Sequence, residues 1–200
     1  IYGQTDSGMT IIEGNLFLNG QKPIQQRTSY GLGEILNAAL DNDAKHIIIS
    51  LGGIGSFDGG AGMLQALGAK FYDDEANIVD VTKGAHVIKY IRRLDFSEIH
   101  PKLAEANIQV MSDFSSRLYG KQSEIMQMYS TLGMTQNEAA EIDNLVWYFS
   151  ELFKSELKVT IGPIERGGAG GGIAAVLKGL YQAEILTSHE LVDQITHLED

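Results

Sequence analysis

The sequence predicts a single α/β domain. Three observations carry that reading. β-branched runs alternate along the chain with segments of helical spacing. The run His46 to Leu51 leads straight into the glycine-rich stretch Gly52 to Gly62 and then into the helix-like Met63-Leu-Gln-Ala-Leu67. A second glycine cluster, Gly167 to Gly172, opens another helical segment, Ile173 to Lys178. With 200 residues, 44% of them hydrophobic and 20% charged, the chain has material for a real core and is not of disordered composition. Its 23 glycines exceed average usage, and their gathering in those two places marks special loops rather than low complexity.

The elements follow in order. Thr5-Asp-Ser-Gly8 is a turn signal, and Thr10-Ile-Ile-Glu13 reads as a short strand. Leu16 to Gly20 is a short apolar piece closed by a turn. Thr28-Ser29 is an N-cap pair for a helix through Gly33 to Leu40, which Asp41-Asn-Asp43 ends. Ala44 to Ser50 is β-branched and unbroken, the pattern of a strand buried on both faces. After the glycine loop, the helix stops near Leu67-Gly68, and Ala69 to Tyr72 is a strand running into the acidic turn Asp73-Asp-Glu75. Val87 to Arg93 fits a strand or a short helix equally, and Leu94-Asp-Phe96 with Ile99-His-Pro101 reads as a loop with apolar anchors. Ile108 to Met111 is a strand ending at Ser112-Asp113. Thr135-Gln-Asn-Glu138 is a capping box, and Ile142, Leu145, Val146, Phe149, Leu152 and Phe153 form a core stripe on the helix it starts. Ser188 to Ile195 is a last short helix.

Composition excludes several classes of function. A formal net charge of −11 disfavours general nucleic-acid binding, which depends on Lys and Arg at phosphates. With no cysteine there is no disulfide framework and no thiolate metal site, and a cytoplasmic location is expected. No apolar run reaches the ~20 residues of a membrane span, so no membrane partner is expected. The chain starts at Ile1 without a signal peptide, and the expectation is a piece excised from a longer protein.

The glycine loop Gly52–Gly62 is the first candidate site. A strand–loop–helix junction brings backbone N–H groups and a helix start to one point, where anions are favoured. The alternative is a tight turn with no ligand. No Gly-Lys-Ser/Thr follows, so it is not a Walker A loop, and Gly53-Ile-Gly55 lacks the third glycine of a dinucleotide fingerprint. Asp58 and Asp113 each lie just beyond a predicted strand, where α/β sheets collect their ligands. Either carboxylate can orient a substrate hydroxyl or hold Mg²⁺, or simply accept loop N–H groups. Thr28-Ser-Tyr-Gly31 offers hydroxyls and N–H groups, with plain helix capping as the alternative. The histidines at 46, 86, 100, 189 and 197 have no metal-ligand spacing, so no metal site is assigned. No Gly-x-Ser-x-Gly elbow supports a hydrolase triad. Arg92, Arg93 and Arg117 are candidate phosphate contacts or solvated surface.

These residues resemble a known family. Thr28-Ser-Tyr-Gly-Leu-Gly-Glu-Ile-Leu36, Gly52-Gly53, and above all Asp58-Gly-Gly-Ala-Gly-Met-Leu-Gln-Ala-Leu-Gly68 look like the bacterial ATP-dependent glycerate kinases. Gly168-Ala-Gly-Gly-Gly172 is similar to that family's later glycine segment, and the likeness runs over most of the chain. The resemblance implies a mixed-sheet α/β domain inserted into a Rossmann-like domain of the same chain, which is absent here. It implies a parent that moves a phosphoryl group from ATP, with Mg²⁺, to a small hydroxy acid, glycerate, in the cleft between the domains. It further implies Asp58 as the catalytic group, and Thr28, Ser29, Gly31, Gly52, Gly53, Ser56, Gly59, Gly60, Asp113, Gly168, Gly170 and Gly171 as substrate-binding positions.

The chain departs from the family's pattern. Where the family usually reads Gly-Gly-Ser-Ala-Thr-Asn-Asp-Gly-Gly, Ile54 stands for the Ser, Ser56 for the Thr and Phe57 for the Asn. In the Asp-Val-x-Asn-Pro-Leu stretch, Ser116 and Arg117 replace Asn and Pro, and Leu132 takes the Lys position of Gly-Pro-Gln-Lys-Gly. Phosphoryl transfer rests on placed charge and donors. Two alternatives therefore stand beside the kinase: a non-catalytic metabolite-binding paralogue, or a kinase for a different hydroxy acid with Phe57 lining the pocket.

Overall fold

The computed structural model describes residues 2–5, 8–17, 22–52 and 55–196. Seven strands are present among them: β1 (Gly3–Gln4), β2 (Met9–Glu13), β3 (His46–Ser50), β4 (Lys70–Tyr72), β5 (Arg93–Asp95), β6 (Asn107–Met111) and β7 (Glu184–Leu186). The α-helices are α1 (Tyr30–Asp41), α2 (Ala61–Ala66), α3 (Glu124–Met128), α4 (Gln136–Leu152), α5 (Ile173–Tyr181) and α6 (Ser188–Thr196). The expected α/β class is what the chain adopts, with a mixed sheet.

The main sheet has five strands in the order β1-β2-β3-β6-β7. β1 runs antiparallel to β2, and the other three pairings are parallel. The centre is β3, where Ile47 and Ile49 are fully buried and Ile48 nearly so. That is the two-faced burial its unbroken β-branched run predicts, because helical layers cover both faces of a parallel sheet. A second, two-stranded antiparallel sheet pairs β4 with β5.

Helix α4 begins with the expected capping box. Thr135 Oγ1 accepts from Glu138 N at 3.3 Å, and Glu138 Oε2 accepts from Thr135 N at 2.8 Å. Its apolar stripe packs inward, and three aromatic rings meet edge to face. Phe149 lies 5.6 Å from Phe71 on β4 and 5.0 Å from Phe153 (centroid distances). This cluster joins the small sheet to α4 and backs the first glycine loop, since a side chain at Gly59 would meet the Phe149 ring.

Several elements differ from the sequence reading. The ambiguous run ending at Arg93 is a 3-10 turn over Ala85–Tyr90, and the segment read as a loop contains strand β5. β7 and α3 were not expected at all; each is too short to show a period. The apolar piece at 16–20 begins as a 3-10 turn over Gly14–Phe17, and the rest of it lies outside the described residues. No helix among the described residues is long and apolar enough to cross a membrane.

Truncating the central ring tests the core. Phe149→Ala removes an aromatic that touches two others and should cost about 3–5 kcal/mol. Denaturant unfolding of the variant should show the midpoint falling accordingly; an unchanged midpoint would mean the cluster collapses around the gap.

Candidate functional site

Asp58 occupies the junction between β3 and α2 and has no exposed surface. Six donors converge on its carboxylate. Oδ2 accepts from Ser29 N at 2.7 Å, Ser29 Oγ at 2.9 Å, Gly62 N at 3.1 Å and Thr28 Oγ1 at 3.3 Å. Oδ1 accepts from Gly60 N at 3.1 Å and Ser56 Oγ at 3.2 Å. Ser29 Oγ in turn accepts from Met63 N at 2.9 Å, and Thr28 Oγ1 from Tyr30 N at 3.3 Å. The N-termini of α1 and α2 are thereby tied to one side chain.

Local sequence explains why this assembly forms. Gly59 and Gly60 have φ values of 62° and 79°, a backbone region that side chains disfavour, so the chain turns sharply into α2. Gly62 lies so close that an added Cβ would sit 2.5 Å from Tyr30 N and 2.8 Å from Asp58 Oδ2. Ser29 precedes α1 as expected, but its side chain makes no capping bond. The hydroxyls of Thr28 and Ser29 reach across to Asp58 instead.

The second glycine loop closes on the first. Gly59 N donates to Gly171 O at 3.0 Å, and an added Cβ at Gly171 would run into the carbonyl of Ser56. At Gly172 it would come within 2.7 Å of Gly59 Cα. Gly168, Gly170 and Gly171 are all buried, and Gly168 N donates to Ser116 O at 3.1 Å. Their smallness permits backbone to pack on backbone.

The residues expected to bind substrate thus separate into groups. Thr28, Ser29, Ser56, Gly59 and Gly60 are brought together, and the groups named above are engaged with Asp58 or with Gly171. Gly31 and Gly52 are partly exposed at the ends of the same assembly. Gly53 and Ile54 lie outside the described residues, as does His197. Phe57 packs into the core with 2% exposure, so it does not line an open pocket. Asp113 stands apart on the surface, where its Oδ1 accepts from Ser188 N at 2.8 Å and Ser188 Oγ at 3.0 Å. Those bonds hold its carboxyl below the usual carboxylate range and fasten the end of β6 to the start of α6. Leu132 is half-buried against the core.

Among the arginines, Arg92 donates to the carbonyls of Lys89 and Ile91 and to Tyr148 Oη, and Arg93 lies 4.0 Å from the centre of the Tyr72 ring. Arg117 donates to Pro163 O at 3.0 Å and borders a cavity of about 700 Å³ shared with Arg166 and Lys178. Glu165 and Glu190 sit in the same wall, 3.7 Å and 2.9 Å from Arg117 and Arg166. Among the described residues no three His, Asp or Glu side chains gather to hold a metal ion.

One residue escaped the sequence reading. Glu124, the first residue of α3, is 95% buried (5% exposed), and its Oε1 has no hydrogen-bond partner among the described residues. Burial pushes its carboxyl up to about 7, partly offset by a hydrogen bond from the Gly171 backbone. Ser123 and Glu124 look like an ordinary cap and first-turn acid in the sequence, so nothing there separated Glu124 from a solvated surface carboxylate.

Comparison with known proteins bears on the same region. Residues 7–200 match the model of the glycerate kinase family. The chain is 33% identical over 173 residues to glycerate 2-kinase of Escherichia coli K12, and 30% identical over 173 residues to glycerate kinase of Halalkalibacterium halodurans. Each match covers 86% of this chain and 45% of the relative, so the chain spans about half the length of the curated relatives it matches. A crystal structure assigned as glycerate kinase 2 from Salmonella typhimurium LT2 superposes with a TM-score of 0.89 at 30% identity. It covers 99% of this chain and 54% of its own.

Two stability tests follow from the buried carboxyls. Asp58→Asn places an amide where four donors meet, and should cost at least about 2 kcal/mol. Thermal unfolding reads it; an unshifted midpoint would show that the ring of donors holds nothing together. For Glu124 the folded chain holds its proton more tightly than the unfolded chain, whose carboxyl titrates near 4.5. Its contribution is therefore intact below that pH and is lost as pH rises through about 7, up to about 3 kcal/mol in all. Glu124→Gln should flatten the decline between pH 5 and 8; identical pH profiles for wild type and variant would refute it.

Proposed function

The chain belongs to the glycerate kinase family, and from that premise we propose that the full-length protein transfers a phosphoryl group from ATP to a hydroxyl of glycerate. The observation that carries the reading is the family match over residues 7–200, which runs through Asp58 and both glycine loops. In this reading the chain forms one domain inserted beside a Rossmann-like partner domain, and supplies the acid-binding wall of the cleft between them.

Asp58 acts by position in this proposal. With six donors on its two oxygens, neither is turned toward a substrate hydroxyl. It fixes the Thr28–Gly33 turn against the glycine loop, so that Gly31 and Gly52 present their backbone to the acid. Positioning of this kind is worth several kcal/mol in phosphoryl transfer, where little covalent chemistry falls to the protein. Gly168, Gly170 and Gly171 support that wall from behind, and Asp113, apart from it, fastens the end of β6 to the start of α6. Mg²⁺ would neutralise charge on the transferring phosphoryl group. It prefers one or two carboxylates plus water and phosphate oxygens.

A second reading, a metabolite-binding relative without catalysis, is favoured by Leu132 at the family's lysine position. ATP turnover by the full-length protein, with and without D-glycerate and Mg²⁺, separates the two. Glycerate-dependent turnover is the expected result. No turnover, with glycerate still bound in calorimetry, would replace the kinase with the binding protein.

A further inference from the structure

We propose that Ser116 and Glu124 form a pocket that receives one hydroxyl group of the acceptor substrate and so helps decide which hydroxy acid the protein accepts; this rests on the reading of the protein as a hydroxy-acid kinase.

Two buried polar atoms carry the inference. Ser116 Oγ and Glu124 Oε1 are both shut off from solvent, and neither has a hydrogen-bond partner among the described residues. The residues are 4% and 5% exposed. Folded proteins leave few such groups unpaired, and those that persist call for an explanation. The two residues come from different segments, the loop after β6 and the start of α3, yet both line one cavity of about 60 Å³. Phe114, Ser115, Gln127 and Met128 complete its wall. The space is about twice a water molecule's share of liquid volume, enough for a hydroxyl on a short carbon stem.

The donor and acceptor pattern selects the occupant. A serine hydroxyl donates and accepts, and a carboxyl accepts when ionised and also donates when protonated. One substrate hydroxyl, donating to Glu124 and accepting from Ser116, pairs both orphans at once. A second anion would face the Glu124 carboxyl, and an apolar group would leave both atoms unpaired.

Placement agrees. Helix α3, which Glu124 opens, packs against the Ala169–Gly172 segment, and Gly171 packs on the first glycine loop at Ser56. Ser116 O receives Gly168 N. The recess therefore borders the seam between the two glycine loops, at the carboxyl ends of the parallel strands where such sheets bind ligands. Ser115, Ser116 and Gln127 also line the 700 Å³ cavity, so the recess adjoins open space. A site built to hydrogen-bond a substrate hydroxyl discriminates strongly against the analogue without it.

The test uses the full-length protein as wild type, Glu124→Gln and Ser116→Ala, the second guarding against a folding defect in the first. Turnover is measured with glycerate and with its two monohydroxy analogues, lactate and 3-hydroxypropionate. Both variants should raise KM for glycerate at least about tenfold, while the analogue lacking the bound hydroxyl changes less than about twofold. Unchanged KM in both variants would overturn the pocket and leave the kinase reading standing. If wild type shows no turnover, the kinase reading fails, and the pocket is judged from the ¹³C carboxyl resonance of Glu124. That resonance should move with glycerate or glycerol and stay fixed with acetate. No movement with any of them means the recess holds buried water only, and the inference is wrong.

Discussion

The assembly hangs on one carboxylate. Asp58 gathers donors from the turn before α1, the glycine loop and the first turn of α2, reaching up to 30 residues back along the chain. A buried charge of this kind is tolerable only when its lone pairs are filled, and once filled it admits very few alternative geometries. Each partner is there because of Asp58. The Ser29 hydroxyl turns inward rather than capping its own helix, the Thr28 hydroxyl serves both Asp58 and Tyr30 N, and Gly62 lacks a side chain that would collide with the oxygen. The loops cannot shift independently without stranding a buried anion or several donors.

The second constraint is steric. Glycines at 171 and 172 let one loop lie directly on the backbone of the other, and Gly33 lets α1 press on α2, where an added Cβ would sit 2.5 Å from Met63 O. In this chain glycine is as much a packing residue as a flexible one. That alters the meaning of the two glycine-rich stretches. Near Asp58 the N–H groups of Gly59, Gly60, Gly62 and Met63 are spent within the protein. The part of the assembly that reaches the surface is its rim, at Gly31 and Gly52.

Much of this was legible in the sequence. The unbroken Ala44–Ser50 run, the Thr135 capping box and the stripe on α4 each obey a local rule, and each became the expected element. Asp58 stood out because an acid among glycines after a buried strand has few ordinary uses. What it touches was hidden, since Thr28 and Ser29 meet it only through the tertiary fold. β5 and β7 are three residues long and owe their existence to a neighbouring strand rather than to their own pattern. Glu124 was invisible for a different reason. Its sequence neighbours describe a helix start, whereas its burial comes from the tertiary fold, which packs α3 on α4 and on the Ala169–Gly172 segment.

The order of the parallel strands has a consequence for how the chain is made. β2, β3, β6 and β7 lie side by side in the order of their synthesis, and none is inserted between two earlier strands. A nascent chain can therefore extend the sheet outward from one edge as it leaves the ribosome, each new strand docking on the last. The Asp58 tie is complete once Met63 has emerged. The seam between the glycine loops is not, because Gly59 N–H waits for the carbonyl of Gly171. That seam is thus among the last parts of the assembly to set, and translation must pass Gly171 before the two loops can close on each other.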